Sequence, residues 1–293
     1  MGINKPGVYD IPAERYHADP VEAVSLSSGI AKKLIRQSPM HAHYAHPRLG
    51  GNNERKPTRA MDDGSILHGL LLGKGGDFVV INADDFRGKE AQRQRDEAHA
   101  AGKSPILAHK LEGLHEVARA ARKQIEKHPD ASMLFAPGKP EQVMVWEENG
   151  IWFRSMADWK LNDLAMPLVD LKTTGLSASP EDWQRRLIAE YAFQDAFYAR
   201  GFKAIHGITP PPMIFIVIET DAPYGVSVMA CAPCLRHLAA AEVERAVQMW
   251  RHCIKTDQWP GYPKHTAYVE APVWAMKQHE EREMHAETIK EFA

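Results

Sequence analysis

Ile151-Trp-Phe-Arg-Ser-Met-Ala-Asp158 and Leu168-Val-Asp-Leu-Lys-Thr-Thr174 are the two stretches on which the reading of this chain turns. Both are rich in β-branched and apolar residues, as strands are. Side chains alternate across a strand, so Asp170 and Lys172 project from one face, about 7 Å apart along the chain. Leu171 points to the opposite, apolar side. A carboxylate holds a hard divalent cation through oxygen. An ammonium beside it can orient or help activate the attacking water and offset negative charge building on a phosphate. Asp158, expected to close its own strand, offers a second carboxylate to the same ion. The spacing is D-x11-D-x-K. Each piece alone has a plainer reading: an Asp–Lys pair on a surface strand, and a strand-terminal Asp capping a turn.

Outward from these stretches, Glu141–Trp146 and Ile151–Leu161 flank Asn149-Gly150, a pair suited to a type I′ turn, which predicts a hairpin. Phe78–Ile81, Pro167–Thr174, Met213–Glu219 and Gly225–Ala230 also read as strands. Helices are predicted from Ser27 through Ile35, from Pro39 through His46, and over Ala60–Leu72, 88–101, Ala108–His128, Pro180–Ile205 and Pro233–Thr256. Residues 1–25 read as irregular, 47–58 as a loop, and the tail from Val273 as a charged helix. Helices, then strands with an interposed helical segment, then a long helix indicate an α/β fold with a central mixed sheet flanked by helices. The expected organisation is an N-terminal segment with helices packed on the core (1–58), the core itself (59–262) and a charged helical tail (263–293).

The composition suits a soluble globular chain: 293 residues, 44% hydrophobic and 25% charged. No apolar run is long enough to span a bilayer, and the start has no apolar h-region, so the expected compartment is the cytoplasm. Three cysteines, Cys231, Cys234 and Cys253, are too few for a disulfide framework. A net charge of −2 argues mildly against nucleic acid. A metal-dependent nuclease escapes that objection, because its site is acidic and the cation supplies the positive charge.

Five collinear segments carry a resemblance. They are Gly7-Val-Tyr-Asp-Ile11 with Tyr16-His17, Asp63-Gly-Ser-Ile-Leu-His68, Arg154-Ser-Met-Ala-Asp158, Val169-Asp-Leu-Lys-Thr-Thr174 and Gln194-Asp-Ala-Phe-Tyr198. In them the chain resembles the exodeoxyribonuclease VIII branch of the PD-(D/E)XK nucleases. It is more distantly similar to lambda exonuclease and to the nuclease domains of bacterial helicase–nuclease recombination complexes. The resemblance implies that His68, on a helix opened by Asp63-Gly64, ligates metal beside Asp158 and Asp170, with the Leu171 carbonyl completing the protein ligands. It implies that Lys172 positions the water, and that Gln194 and Tyr198, one helical turn apart, hold the DNA backbone or brace the site. The implied cofactor is Mg²⁺, with Mn²⁺ able to substitute. The implied activity is digestion of linear duplex DNA from its ends, 5′ to 3′, by a ring-shaped homo-oligomer. A single-strand annealing protein and a phage or prophage setting are implied as partner and context, with no membrane. An endonuclease, a single-strand-specific nuclease and a catalytically silent DNA-end binding module stand as alternatives.

Other motifs resolve to structure. Gly69-Leu-Leu-Leu-Gly73-Lys74 is one residue short of a P-loop and lacks its Ser or Thr. His41, His43 and His46 read as a solvated helix face, and so do the basic residues between Arg87 and Arg95. The cysteines read as free thiols in preference to a zinc or iron–sulfur site. Arg185 and Arg186 are candidate DNA-phosphate contacts.

Overall fold

The computed structural model describes residues 2–50, 57–74 and 77–291. The predicted loop at 47–58 therefore lies largely outside the described residues. In chain order the first elements are β1 (Gly7–Tyr9), α1 (Ala13–His17), β2 (Ser25–Ser27), α2 (Ser28–Arg36), α3 (Pro39–Ala45) and α4 (Arg59–Leu72). Next come β3 (Phe78–Ile81), α5 (Lys89–Ala100), β4 (Ser104–Leu107), α6 (Ala108–Lys127), β5 (Gly138–Glu148), β6 (Ile151–Leu161) and β7 (Leu168–Thr174). The chain continues through α7 (Pro180–Arg186), a π-helical turn (Leu187–Tyr191), α8 (Ala192–His206), β8 (Ile214–Glu219), β9 (Val226–Ala230) and α9 (Pro233–Thr256). A last helix, α10 (Val273–Glu291), belongs to a separate unit, Gly261–Ala293, while Met1–Pro260 forms the first.

Local chemistry sets the helix ends. The side chains of Ser27, Ser38 and Thr58 each accept a backbone N–H from the first turn of α2, α3 and α4. Asp63-Gly64, expected to open α4, instead sits in its second turn, because Thr58 is the cap. Gly73, in the left-handed region at φ 71°, closes α4, so the supposed P-loop glycine Gly69 is simply helical. Asn149 and Gly150 both have positive φ, as a type I′ turn requires.

The main sheet runs β1-β5-β6-β7-β8-β9, with β2 added to β6. β7–β8 and β2–β6 are parallel, and the other pairs are antiparallel, so the sheet is mixed. A second, two-stranded parallel sheet joins β3 to β4. One core cluster packs α2, α8 and α9 against the sheet through Leu34, Phe197, Phe202, Val247 and Trp250. Another packs α4 and α6 through Leu67, Leu71, Val117 and Ala121 against Val169, Leu171, Ile216 and Ile218. The sheet is thus covered on both faces, which is why β7 and β8 are apolar on both sides away from Asp170 and Lys172.

Residues 1–25, expected to be irregular, supply β1, α1 and the first residue of β2. β1 pairs with β5 and β2 with β6. A buried polar clamp fixes them. The Arg154 guanidinium donates from Nε to the Tyr16 carbonyl at 3.2 Å and from Nη1 to Ser25 Oγ at 2.8 Å, and stands 3.2 Å from Asp19 Oδ1. Asp19 in turn accepts from the Ser25 hydroxyl at 2.6 Å and the Ser25 N–H at 3.0 Å. His46 closes the network, 3.0 Å from the Ser25 carbonyl and wholly buried. This corrects the solvated reading of the histidine cluster, since His43 also packs on the Trp259 ring.

Candidate active site

β6 divides one edge between two neighbours. β2 pairs with residues 152–154 and β7 with 159–160, which leaves residues 155–158 without a strand partner there. The β7 ladder has rungs at Lys160–Leu168 and Trp159–Val169. The next rung would join Asp158 to Asp170, and at that point the strands part. Asp158 therefore lies inside β6, which continues to Leu161, and does not close it as expected. Side chains take over the lost backbone bonds, as buried peptide groups require. The Leu171 N–H donates to Asp158 Oδ2 at 2.7 Å, and the Tyr198 hydroxyl donates to the Met156 carbonyl at 2.9 Å.

Both faces of the sheet send residues to this fork. From α4, His68 brings Nδ1 to 3.8 Å from Asp158 Oδ2. From α8, Gln194 Nε2 donates to Asp170 Oδ1 at 2.6 Å. Lys172 Nζ is ion-paired with the buried Asp170 Oδ2. Leu171 turns its side chain into the α4–α6 core. Burial pushes the Asp170 carboxyl above the usual range, against the pull of Lys172. Burial alone would lower the Lys172 ammonium, but the carboxylates of Asp170 and Asp158 outweigh it and raise its pKa above the ordinary value. Lys172 is a firmly charged ammonium in this arrangement.

Two neighbours of the fork were not picked out from the sequence. Glu141 lies between the Pro140–Trp159 and Gln142–Ala157 rungs of the β5–β6 ladder, near Asp158, and holds a positive φ of 47°. Burial raises its carboxyl; Lys74 opposes that, Asp158 adds to it and His68 opposes it. Counting back from the Asn149-Gly150 turn would have placed Glu141 there. Glu141 also lines a cavity of about 330 Å³ with Asp10, Glu14, Ser65, Lys74 and Asp77. The second neighbour is Tyr191, whose ring centroid lies 5.1 Å from Lys172 Nζ. No sequence signal marked it, because its place depends on the π turn.

The remaining candidates fall outside this cluster. Arg185 and Arg186 are exposed at the end of α7, and the Arg186 guanidinium lies over the Trp183 ring at 5.5 Å. Cys231, Cys234 and Cys253 are free, the first and last buried. The basic stretch of α5 is a solvated face laced by Arg93 pairs to Glu90 and Glu97.

Comparison with known proteins agrees with the helix-flanked mixed sheet. Residues 27–272 match the family described as a PDDEXK-like domain of unknown function (DUF3799). The chain belongs to that family. This places it in the PD-(D/E)XK nuclease superfamily, without singling out the exodeoxyribonuclease VIII branch. Among solved structures this PDDEXK-like chain is similar to a protein from Eubacterium rectale described as a "Putative exonuclease". The TM-score is 0.58 at 13% identity, over 92% of this chain and 98% of that one. At that identity the likeness shows the fold. No curated protein matches the sequence. Among the described residues no helix of the PDDEXK-like chain is long and apolar enough to cross a membrane.

The family implies a divalent cation, and the donor types at the fork fit one. Two carboxylates and an imidazole, the oxygen and nitrogen donors a divalent cation takes, approach one another from β6, β7 and α4. Among the described residues no three His, Cys, Asp or Glu side chains already stand in a ligating cluster. Lys172 instead supplies the positive charge beside Asp170.

Proposed function

We propose that this PDDEXK-like protein is a Mg²⁺-dependent deoxyribonuclease that digests linear duplex DNA from its ends. The observation that carries the reading is the fork itself. Asp158 and Asp170 occupy what would be one rung of the β6–β7 ladder, Lys172 is paired to the second and Gln194 is bonded to it. Asp158, Asp170 and His68 would hold the cation, with the Leu171 carbonyl as a further oxygen donor, and Mn²⁺ would substitute for Mg²⁺. When bound, the cation polarises the phosphate and stabilises the leaving oxygen. The reaction adds the elements of water across a phosphodiester: the water oxygen bonds to phosphorus, the bond to the 3′ oxygen breaks, and a 5′-phosphate remains.

The chain's own groups divide the remaining work. Lys172, held charged, donates a hydrogen bond to the attacking water or the phosphate and offsets charge in the transition state. Gln194 fixes the Asp170 carboxylate through its amide. Tyr198 is a brace, because its hydroxyl is spent on the Met156 carbonyl. Arg185 and Arg186, exposed on α7, would contact the DNA backbone. Direction from 5′ to 3′, a role in recombination beside a single-strand annealing protein, a phage origin, a cytoplasmic setting and a ring-shaped homo-oligomer belong to the same proposal, supported by the resemblance of the five segments.

The test is digestion of linear and covalently closed circular duplex DNA with Mg²⁺, with Asp170→Ala and Lys172→Ala alongside. Loss of the linear substrate alone, with both variants dead, is the expected result. Cutting of the circle would make the protein an endonuclease. DNA ends bound but left intact with every divalent ion would make it a silent binding module.

A further inference from the structure

Between α7 and α8 the chain takes five residues, Leu187–Tyr191, as a π-helical turn, and the Ala192 N–H bonds to the Leu187 carbonyl. Such turns are rare and cost regular hydrogen bonding, so a specific gain must hold one in place. One extra residue rotates everything beyond it by about 100°, the angle of one residue in a 3.6-residue turn. Here the turn lies where Tyr191 meets Trp183 of α7 while Gln194 of α8 meets Asp170. Trp183 of α7 and Tyr191 at the end of the π turn stack at 5.5 Å and 11°. Gln194, three residues on, reaches Asp170. Lys32 of α2 pins the turn from outside, donating to the Glu190 carbonyl at 3.0 Å and to its carboxylate at 2.8 Å.

The Tyr191 ring is held on three sides. Trp183 covers one, Phe215 of β8 approaches at 5.7 Å, and Lys172 Nζ lies 5.1 Å from the ring centroid. Phe215 is in register with Asp170 on the neighbouring strand. A lysine ammonium on a four-carbon stem has much rotamer freedom, and one carboxylate does not fix its direction. A ring placed in cation–π range supplies the second point.

We propose that Tyr191 is a positioning residue that fixes the Lys172 ammonium through its aromatic ring, and that the π turn puts it there. The inference rests on the nuclease reading, in which Lys172 serves the reaction. Tyr191 touches no substrate in this account and acts through Lys172 alone.

Steady-state hydrolysis of linear duplex DNA by the full chain separates this role from packing. Tyr191→Leu keeps an apolar side chain but removes the ring; kcat should fall on the order of tenfold with KM unchanged. Tyr191→Phe should rescue kcat, because the ring and not the hydroxyl faces the ammonium. Fluorinated phenylalanines at position 191 keep the shape while draining the ring's negative face, so kcat should fall stepwise with fluorine count even if the leucine variant fails to fold. A flat fluorination series, or a phenylalanine variant as slow as the leucine variant, overturns the proposal. An active wild type with Lys172→Ala dead and Tyr191→Leu unimpaired overturns it while sparing the nuclease reading. An inert wild type removes both.

Discussion

Arg154 lies four residues before Asp158 and reads, in sequence, as part of the catalytic segment. Its guanidinium points away from that chemistry, into the clamp on Asp19, Ser25 and Tyr16, and is almost wholly buried. Removing one partner of a buried ion pair leaves the other charge uncompensated, at a cost of about 3–5 kcal/mol. Arg154→Ala should therefore lower the unfolding free energy by that amount in chemical denaturation, while the molecules still folded keep their hydrolysis rate. Gln194→Ala should do the reverse, slowing hydrolysis on the order of tenfold with little change in stability, because its bond orients Asp170 from a half-buried place. The cysteines give a residue-level check on burial. Burial pushes the Cys231 thiol up to about 12, so at pH 7.5 it stays protonated and shielded. Alkylation followed by mass spectrometry should label the exposed Cys234 first and leave Cys231 and Cys253 unmodified until the chain unfolds.

At the level of elements, α8 lies close against the sheet because Gly201 meets the Trp146 ring. A Cβ on Gly201 would come within 2.5 Å of it. Trp146 is itself boxed in by Phe153 and Phe197, so it has little room to retreat. Gly201→Ala should cost about 1–3 kcal/mol by overpacking, despite alanine's better helix propensity, and a lower melting temperature would show it. Elements with their own periodicity were legible in the sequence: α4, α6, α9, the β5–β6 hairpin and β7 all stand where pattern and turn chemistry put them. β1 and β2 were not, because three-residue strands carry no alternation of their own, and β4 was not, because Pro105 interrupts its strand pattern. Their partners lie far along the chain or, for β4, in a sheet of two strands. The fork's residues were legible as a pattern, D-x11-D-x-K, but its neighbours were not. Glu141 needed the hairpin register, and Tyr191 needed a π turn that no composition announces.

For the molecule as a whole, burial sets the response to acid. His46 and His17 are both shifted below their ordinary values, chiefly by desolvation. The unfolded chain takes up a proton at each near pH 6.5, whereas the folded chain resists until lower pH. At these two histidines the unfolded state binds more protons, so their contribution to stability should fall as pH drops below about 6.5. The raised carboxyls of Asp170 and Glu141 oppose it at lower pH. Melting temperatures between pH 7.5 and 5.5 would show the decline, and His46→Gln should flatten part of it. The assembly proposed with the exonuclease reading is a whole-molecule matter too: light scattering should give a multiple of the 32.9 kDa chain mass, and a monomer would remove the ring from the proposal.

The clamp between Arg154 and Ser25 joins residues 129 positions apart. A chain made from its N-terminus therefore releases β1 and β2 long before β5 and β6 exist to receive them. Both early strands have only unpaired edges to offer during that interval, and a domain tends to complete its folding once its last essential segment has emerged. The segment up to Ser27 should therefore gain protection from protease only after Arg154 has left the ribosome.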